Sequence, residues 1–556
     1  MSIIEAKPNG RHNCNGGFRT SEKLKRHIDV NEKKVPTGLF LWLRHLPRLF
    51  NPVNAVETPP KKKSVAYIPQ YHRYEIIHKT KSRMENNMQP SHSNKRLKKG
   101  QVKIEFSPKL ITSWGGTAAL FSRYFDKIGF RELVEKIYPV QEYSNNSTGV
   151  YSKLVSLFIS VLNGGTKFSH INYMENGIKI FERCLGVKRL VKSSTGITRY
   201  WNKYNRRSLT ETLLQNISQH FLRPLLDYAN IERDTLRFDS TVITRYGNQE
   251  GAKKGYNPAK RGRPSNHPQL AFLGSGYTVN FWNRSGNTRS ANGIVEFYAQ
   301  TRGFIRDIEI ERVLADSGYY DREFILKLEE DGIEYVIAVP IHQFFQKIVY
   351  YQTEWTRVDD GIEVGEFTYS HLNESWGGER RYIVVRQEIQ RRPKATGKQL
   401  SLFKDEDYGK EYRHSLYITN NNTDTPYDIW CYYRPRANVE NIIENLKDGF
   451  GLSAYNMKSF WATEAVLMTI CLILHNLVTV LIKQVLHTNN KDRKLRTIRM
   501  EYLVIPALLG KDGRDNVLRL GLSNPKRQTK FTEALDRLRD LKLTFYCIAV
   551  ENEEVA

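Results

Sequence analysis

A chain of 556 residues can bury several hydrophobic cores, so two to four domains are expected and a single small domain is excluded. Its 85 Lys and Arg against 59 Asp and Glu leave a formal net charge of +26, a field that draws polyanions and makes nucleic acid the first partner to consider; a basic soluble protein of another kind carries the same mark. The five cysteines, Cys14, Cys184, Cys431, Cys471 and Cys547, are odd in number, widely spaced and without a C-x-x-C pair, which suggests neither a disulfide framework nor a zinc site and fits a reducing cytosol.

Residues 1–100 hold 21 Lys and Arg against 7 Asp and Glu, a net +14 in a segment with no sustained apolar period, and read as a basic, disordered leader. Within it, Cys14, Phe18, Leu24 and His27 echo a zinc finger that lacks its second cysteine and second histidine. Met84 and Met88 stand just before the first patterned residues and offer an internal start. The apolar stretch at 39–43 is short and meets Arg44 and His45 at once, unlike a signal peptide.

From 101 to 230 apolar residues recur at three and four, as in 150–159 and 209–226, which predicts helices. A turn at 193–196 leads into a short helix carrying Arg199 and Lys203, the arrangement of a helix that reads DNA in a major groove, and also of any polar surface helix after a loop. The period then changes. Strands are expected at 236–243, 270–273 and 277–282, a helix at 294–301, a strand at 310–315, a helix at 322–330 and a strand at 335–339. Alternating segments at 381–386 and 415–418 suggest a β-rich insertion over 344–420, with a polar loop at 391–407. A long helix is expected from about Pro435. The apolar run at 465–482 approaches membrane-spanning length, but His475 and Asn476 interrupt it and basic chain flanks it, so it reads as a buried helix.

Three acids fall at telling places in this order: Asp239 within the first strand, Asp316 at the end of the fourth, and Glu440 on the helix after the insertion. A ribonuclease H-like fold brings those places together. Carboxylates that converge repel one another and are tolerable with bound cations, for which hard oxygen ligands suit Mg²⁺. Two such ions about 4 Å apart serve the attacking and leaving oxygens of a phosphodiester. No G-x-x-x-x-G-K-[ST], H-E-x-x-H or G-x-S-x-G is present to anchor an NTPase, zinc protease or esterase reading.

Tyr433, Arg436, Glu440 and Lys447 match the Y-x2-R-x3-E-x6-K signature of bacterial insertion-sequence transposases at all four positions. Around them, Arg237-Phe238-Asp239-Ser240-Thr241, Gly255-Tyr256-Asn257-Pro258, Gly262-Arg263-Pro264-Ser265 and Leu314-Ala315-Asp316-Ser317-Gly318-Tyr319 resemble the group 1 DDE transposase domain in the same order, over about residues 103–541. The resemblance implies an enzyme that cleaves double-stranded DNA at its element's inverted repeats and joins the ends to target DNA. It also implies Asp239, Asp316 and Glu440 as metal-binding catalytic acids with two Mg²⁺ (Mn²⁺ able to substitute). Tyr433, Arg436 and Lys447 become phosphate contacts, and a dimer forms on paired DNA ends in a bacterial cytoplasm, at the nucleoid.

On a helix, offsets of 0, 3, 7 and 14 residues at about 100° each put the four signature side chains within about 60° of arc. Pro435 favours a first-turn position, which would leave Tyr433 outside the helix, and Glu444 shares the face as a rival third acid. Arg261 and Arg263, in the loop 260–264, form either a minor-groove hook or a plain basic turn. Of Trp355, Trp376 and Trp430, one could stack on a flipped base, with core packing the simpler fate. The expected architecture is α/β: a basic leader (1–100), a helical DNA-binding region (101–230), a ribonuclease H-like mixed sheet (231–343 and 421–451) split by the β-rich insertion (344–420), and a helical C-terminal region (452–556). A non-catalytic DNA-binding protein and a nuclease that hydrolyses without joining are the rival readings.

Overall fold

The computed structural model describes residues 106–545 apart from 176, 372–375, 400–410 and 487–492. The basic leader, the Cys14 stretch, the two internal methionines and part of the polar loop at 391–407 lie outside the described residues. Residues 105–556 cluster as one unit.

The three-and-four repeats fold as α1 (Gly115–Lys127), α2 (Phe130–Ile137), α3 (Gly149–Leu162), α4 (Ile178–Cys184), α5 (Ser194–Trp201) and α6 (Arg207–Ile217). α3 buries every residue from Val150 to Leu162 except Tyr151, and a helix apolar around nearly its whole circumference must be covered on all sides. Its neighbours α2 and α5 supply part of that cover.

The sheet begins with β1 (Arg233–Ser240), followed by three short strands, β2 (Ile243–Thr244), β3 (Lys253–Lys254) and β4 (Pro264–Asn266), which form a small antiparallel sheet of their own. β5 (Gln269–Leu273) and β6 (Thr278–Trp282) complete an antiparallel meander with β1. Then come α7 (Ile294–Phe304), β7 (Glu309–Ala315), α8 (Arg322–Glu330) and β8 (Glu334–Val339), in the order the sequence predicts. β1 beside β7 and β7 beside β8 are parallel, and α8 supplies the crossover that parallel neighbours need.

The segment after β8 is rich in strands, as expected, but joins the central sheet. α9 (Gln343–Tyr350) leads to β9 (Thr356–Asp359), β10 (Ile362–Ser370), β11 (Glu379–Glu388), β12 (Lys398–Gln399) and β13 (Tyr412–Thr419). These strands extend the central sheet: β13 lies antiparallel to β8, with Leu416 opposite Val339 and Thr419 opposite Val336. The result is one ten-stranded sheet in the order β9-β10-β11-β13-β8-β7-β1-β5-β6, with β12 added beside β13. An apolar β8 left as an edge would expose unpaired N–H and C=O groups, and β13 satisfies them.

The helical return begins at α10 (Pro426–Tyr433), nine residues before Pro435, because Thr425 caps it by accepting from the Asp428 N–H and Pro426 takes the first turn. Pro435 instead sits in a 3₁₀ turn, Arg434–Arg436, before α11 (Ala437–Glu444) and a π turn, Asn445–Gly449. The apolar run folds as α12 (Phe460–Val485), with 94 % of its most apolar window buried inside the protein. Its two polar interruptions are satisfied there: Asn476 accepts from the Thr278 N–H (2.9 Å) and donates to the Thr278 carbonyl (2.8 Å), while His475 Nδ1 meets the Thr278 hydroxyl. Tyr124 Oη donates to the Leu477 carbonyl and Tyr138 Oη meets Thr469 Oγ1, so α1 and the chain just after α2 share a core with α12.

The C-terminal region is not purely helical. β14 (Ala507–Asp512) and β15 (Asp515–Leu520) form a hairpin before α13 (Pro525–Asp540), and the strand Ile111–Thr112 pairs with β14. Gly513, at φ 57°, takes the left-handed conformation that this tight turn demands.

Candidate active site

Sheet register brings the first two acids together. Phe238 pairs with Ala315 across the parallel β1–β7 ladder, so Asp239 and Asp316, each one residue on, follow side by side. Asp239 is 6 % exposed, and its Oδ1 accepts from the Ser240 N–H. Asp316 has left the strand and caps the turn Ser317–Tyr319, Oδ1 accepting from the Gly318 N–H at 2.9 Å. Glu440 stands in the first turn of α11 with its side chain 69 % exposed.

One guanidinium joins all three. Arg436 Nη2 lies 2.8 Å from Asp239 Oδ2 and 3.6 Å from Asp316 Oδ2, and Nη1 lies 3.2 Å from Glu440 Oε1. The 3₁₀ turn that aims Arg436 is itself tied to β1, because Arg237 Nη1 donates to the Pro435 carbonyl at 3.1 Å. The Asp239 carboxyl is raised to about 7, chiefly by burial and also by Asp316 and Glu440, against the pull of Arg436 and the Ser240 N–H. Burial works against the Arg436 charge too, but Asp239, Tyr433, Asp316 and Glu440 together hold it above its ordinary value. Lys447, in the π turn, is lowered by burial and partly restored by the field of Asp239.

Carboxylate oxygens at one locus are the donor set of a hard divalent cation. Among the described residues no three His, Cys, Asp or Glu side chains stand close enough to ligate one ion as they are arranged. The guanidinium of Arg436 lies between the acids, so their chemistry fits such an ion while their charge is balanced by the protein itself.

The other signature positions sort themselves by contact. Tyr433 ends α10, inside the helix, with its ring 4.6 Å from that of Tyr417. Glu444 turns to Lys494 Nζ at 2.5 Å, away from Arg436, which separates it from the three acids. Arg261 and Arg263 are exposed, and the Arg263 N–H closes a turn onto the Lys260 carbonyl. Arg199 is exposed on α5, whereas Lys203 Nζ is held 2.7 Å from Glu142. The segment 185–193 between α4 and α5 is longer than the three- or four-residue turn of a helix-turn-helix. All three tryptophans are engaged: Trp355 under the Arg386 guanidinium (4.1 Å), Trp376 stacked on His371 (4.0 Å), and Trp430 buried beneath Arg434 (5.0 Å).

Two features escaped the sequence reading. One is the bond from Arg237 to the Pro435 carbonyl: an arginine two residues before Asp239 in a strand was a usable signal that both share a face. A cleft of about 890 Å³ opens beside Arg436 and Glu440, lined by Tyr417, Trp430 and Tyr433 and by Arg391, Arg392 and Lys394. It exists because β13 joins β8, which sequence alone did not reveal.

No curated protein matches the chain. Among solved structures, a piggyBac transposase in a synaptic complex with hairpin DNA is similar at 10 % identity and a TM-score of 0.35, over 70 % of this chain and 79 % of that one; a likeness that distant carries no argument. Residues 94–543 match the family described as Transposase DDE domain group 1, and a match over most of the chain makes it a member of that family, a DDE transposase.

Proposed function

We propose that this transposase cleaves DNA at the inverted-repeat ends of its own insertion sequence and joins those ends to target DNA. The observation that carries the reading is Arg436, whose guanidinium meets carboxylates from β1, from the end of β7 and from α11 at once. Acids from three separate segments share one counter-charge, and converging acids are what phosphoryl transfer with divalent ions requires. Asp239, Asp316 and Glu440 would hold two Mg²⁺, with Mn²⁺ able to substitute. Such ions, when bound, polarise the phosphodiester and activate the attacking oxygen.

The remaining work belongs to the chain. Lys447 and Tyr433 flank the acids and are assigned to the phosphates at the cleaved end; Arg436 is assigned the same role once it yields a carboxylate. Arg261 and Arg263 grip the duplex nearby, and α5, with Arg199 and Lys203, is assigned to the terminal repeat within the helical region 101–230. The strand order β6-β5-β1-β7-β8 supports a ribonuclease H-like reading of 231–343 with 421–451. The segment 344–420 then forms a wall of the DNA cleft, and 452–556 supports the whole. Two copies on paired ends, in a bacterial cytoplasm at the nucleoid, complete the proposal.

The test is cleavage and joining of labelled duplex carrying the element's own end, with Mg²⁺ or with EDTA. Metal-dependent nicks and joined products support transposition. Nicks without joining reduce the chain to a nuclease, and end binding without nicks reduces it to a DNA-binding protein.

A further inference from the structure

The small sheet β2–β4–β3 is not needed to assemble the acids, and its surface is unlike the rest of the chain. Five cations, Lys253, Lys254, Lys260, Arg261 and Arg263, stand exposed on it within eleven residues. The sequence holds no Asp or Glu from 251 to 295, and among the described residues no carboxylate pairs with any of the five. Two aromatic rings are exposed among them, Tyr246 at 68 % and Tyr256 at 75 %. Lys260 Nζ lies 5.2 Å and the Arg263 guanidinium 6.0 Å from the Tyr246 ring centre, so two of the five cations lie at an exposed aromatic ring.

This surface is fixed to the body. Arg245, 2 % exposed, donates to Asn266 Oδ1 at 2.7 Å and to the Ser453 carbonyl at 3.1 Å. Asn257, 3 % exposed, accepts from the Lys260 N–H and donates to Thr244 Oγ1. The Glu250 N–H donates to the Lys458 carbonyl, and Glu250 Oε2 accepts from the Phe460 N–H. From below, Gly286 presses so close that a Cβ there would stand 2.3 Å from the Ser265 carbonyl oxygen and 2.4 Å from that of Lys253. The same loop carries Ser290, whose hydroxyl lies 2.9 Å from that of Ser240, next to Asp239, and close against Gly318 beyond Asp316.

We propose that β2–β4–β3 is a rigid, sequence-independent clamp for the phosphate backbone of duplex DNA, held in register with the catalytic acids through the 284–290 loop. The inference rests on the reading of the chain as an enzyme acting on DNA ends. A minor-groove hook needs an extended arm with free arginines, whereas this loop is closed into a turn and its Arg263 lies at Tyr246; exposed cations on a small sheet suit the phosphates that flank a groove. Reach sets the place on DNA. Ile243 follows Asp239 by four residues, at most about 14 Å, and β3 lies two strand spacings farther, about 10 Å. The clamp therefore meets phosphates within about seven base pairs of the cleaved bond, at about 3.4 Å per pair.

The experiment measures binding to the element's end and to a scrambled duplex between 0.05 and about 0.3 M salt, for the wild type, for Lys253→Glu/Lys254→Glu and for the milder Lys253→Gln/Lys254→Gln, with thermal unfolding as the control for folding. Loss of two phosphate contacts predicts a salt slope shallower by about 1.8 on both duplexes, and affinity at least about tenfold lower at 0.1 M salt for the Glu pair. Unchanged slope and affinity in folded variants, with a wild type that cleaves ends, would overturn the clamp and leave the transposase reading standing. A slope that falls in variants of a protein that cuts nothing would uphold the clamp and overturn end cleavage.

Discussion

Two buried carboxyls make an instructive pair. Asp239 on β1 and Glu464 on α12 are each pushed up to about 7, and in both the first cause is burial. Their surroundings differ. Glu464 accepts from the Asn283 N–H at 3.0 Å, with help from Thr210, and joins α12 to the end of β6 and to α6. Asp239 faces a guanidinium shared with two further acids. A perturbed carboxyl alone is therefore a poor mark of chemistry; convergence of like charges on one cation is the better mark.

The comparison breaks first on activity. Asp239→Asn should lower end cleavage at least about 1000-fold, since several kcal/mol of metal-borne charge stabilisation go with it at about 1.36 kcal/mol per tenfold. Glu464→Gln should cleave at the wild-type rate in the same gel assay. Equal losses in both would erase the distinction between them.

Stability comes next. Arg436→Met leaves Asp239 buried beside two acids without a counter-charge, and removing one partner of a buried pair costs about 3–5 kcal/mol. Urea unfolding in EDTA reads that loss. Replacing Asp239, Asp316 and Glu440 by their amides in the same background should recover most of it.

Glu464 supplies the pH dependence. Its folded pKa, about 7, lies above the ordinary 4.5, so between those values the native state holds a proton that the unfolded state has lost. Stability from this group is full below about pH 4.5 and declines as pH rises to 7, by up to about 3 kcal/mol. Glu464→Gln should thus unfold at a higher temperature than the wild type at pH 8, with the gap closing toward pH 5. His475 works in the opposite sense: burial lowers it to about 4, so its contribution is present above the ordinary 6.5 and fades as pH falls from there to 4.

The smallest effect is expected at Glu444, whose partner Lys494 is 44 % exposed; an exposed pair of this kind contributes under about 1 kcal/mol. Glu444→Gln should leave both cleavage and unfolding temperature near the wild type. A cleavage defect there would reopen the identity of the third acid.

The sequence told more about elements than about their neighbours. Period and turn residues located β1, β5, β6, α7, β7, α8 and β8, because those signals lie within a few residues of each other in the chain. The acids at 239, 316 and 440 were singled out by their places in that element order and by the resemblance, and the structure brings all three to Arg436. Partner choice is a long-range property. Nothing local in 412–419 states that it pairs with β8, so the sequence places a β-rich insertion at 344–420 without showing that its strands widen the central sheet. Other misses were local and recoverable. Thr425-Pro426 is a helix start that Pro435 obscured, and Gly513-Arg514 is a two-residue hairpin turn inside a region read as helical. A single face for Tyr433, Arg436, Glu440 and Lys447 requires about 100° per residue, which the 3₁₀ turn at Arg434–Arg436 and the π turn at Asn445–Gly449 both break. Arg436 aimed inward at the acids is the consequence that mattered most.

The proposed binding of divalent cations by Asp239, Asp316 and Glu440 can be tested directly. Iron(II) with ascorbate in place of Mg²⁺ cuts a polypeptide where the ion is bound, and the fragments can be sized by mass. Cuts are expected to cluster near 239, 316 and 440, to be suppressed by excess Mg²⁺ and to be absent in Asp239→Asn. Cuts that fall elsewhere, or that persist unchanged in Asp239→Asn, would contradict that binding.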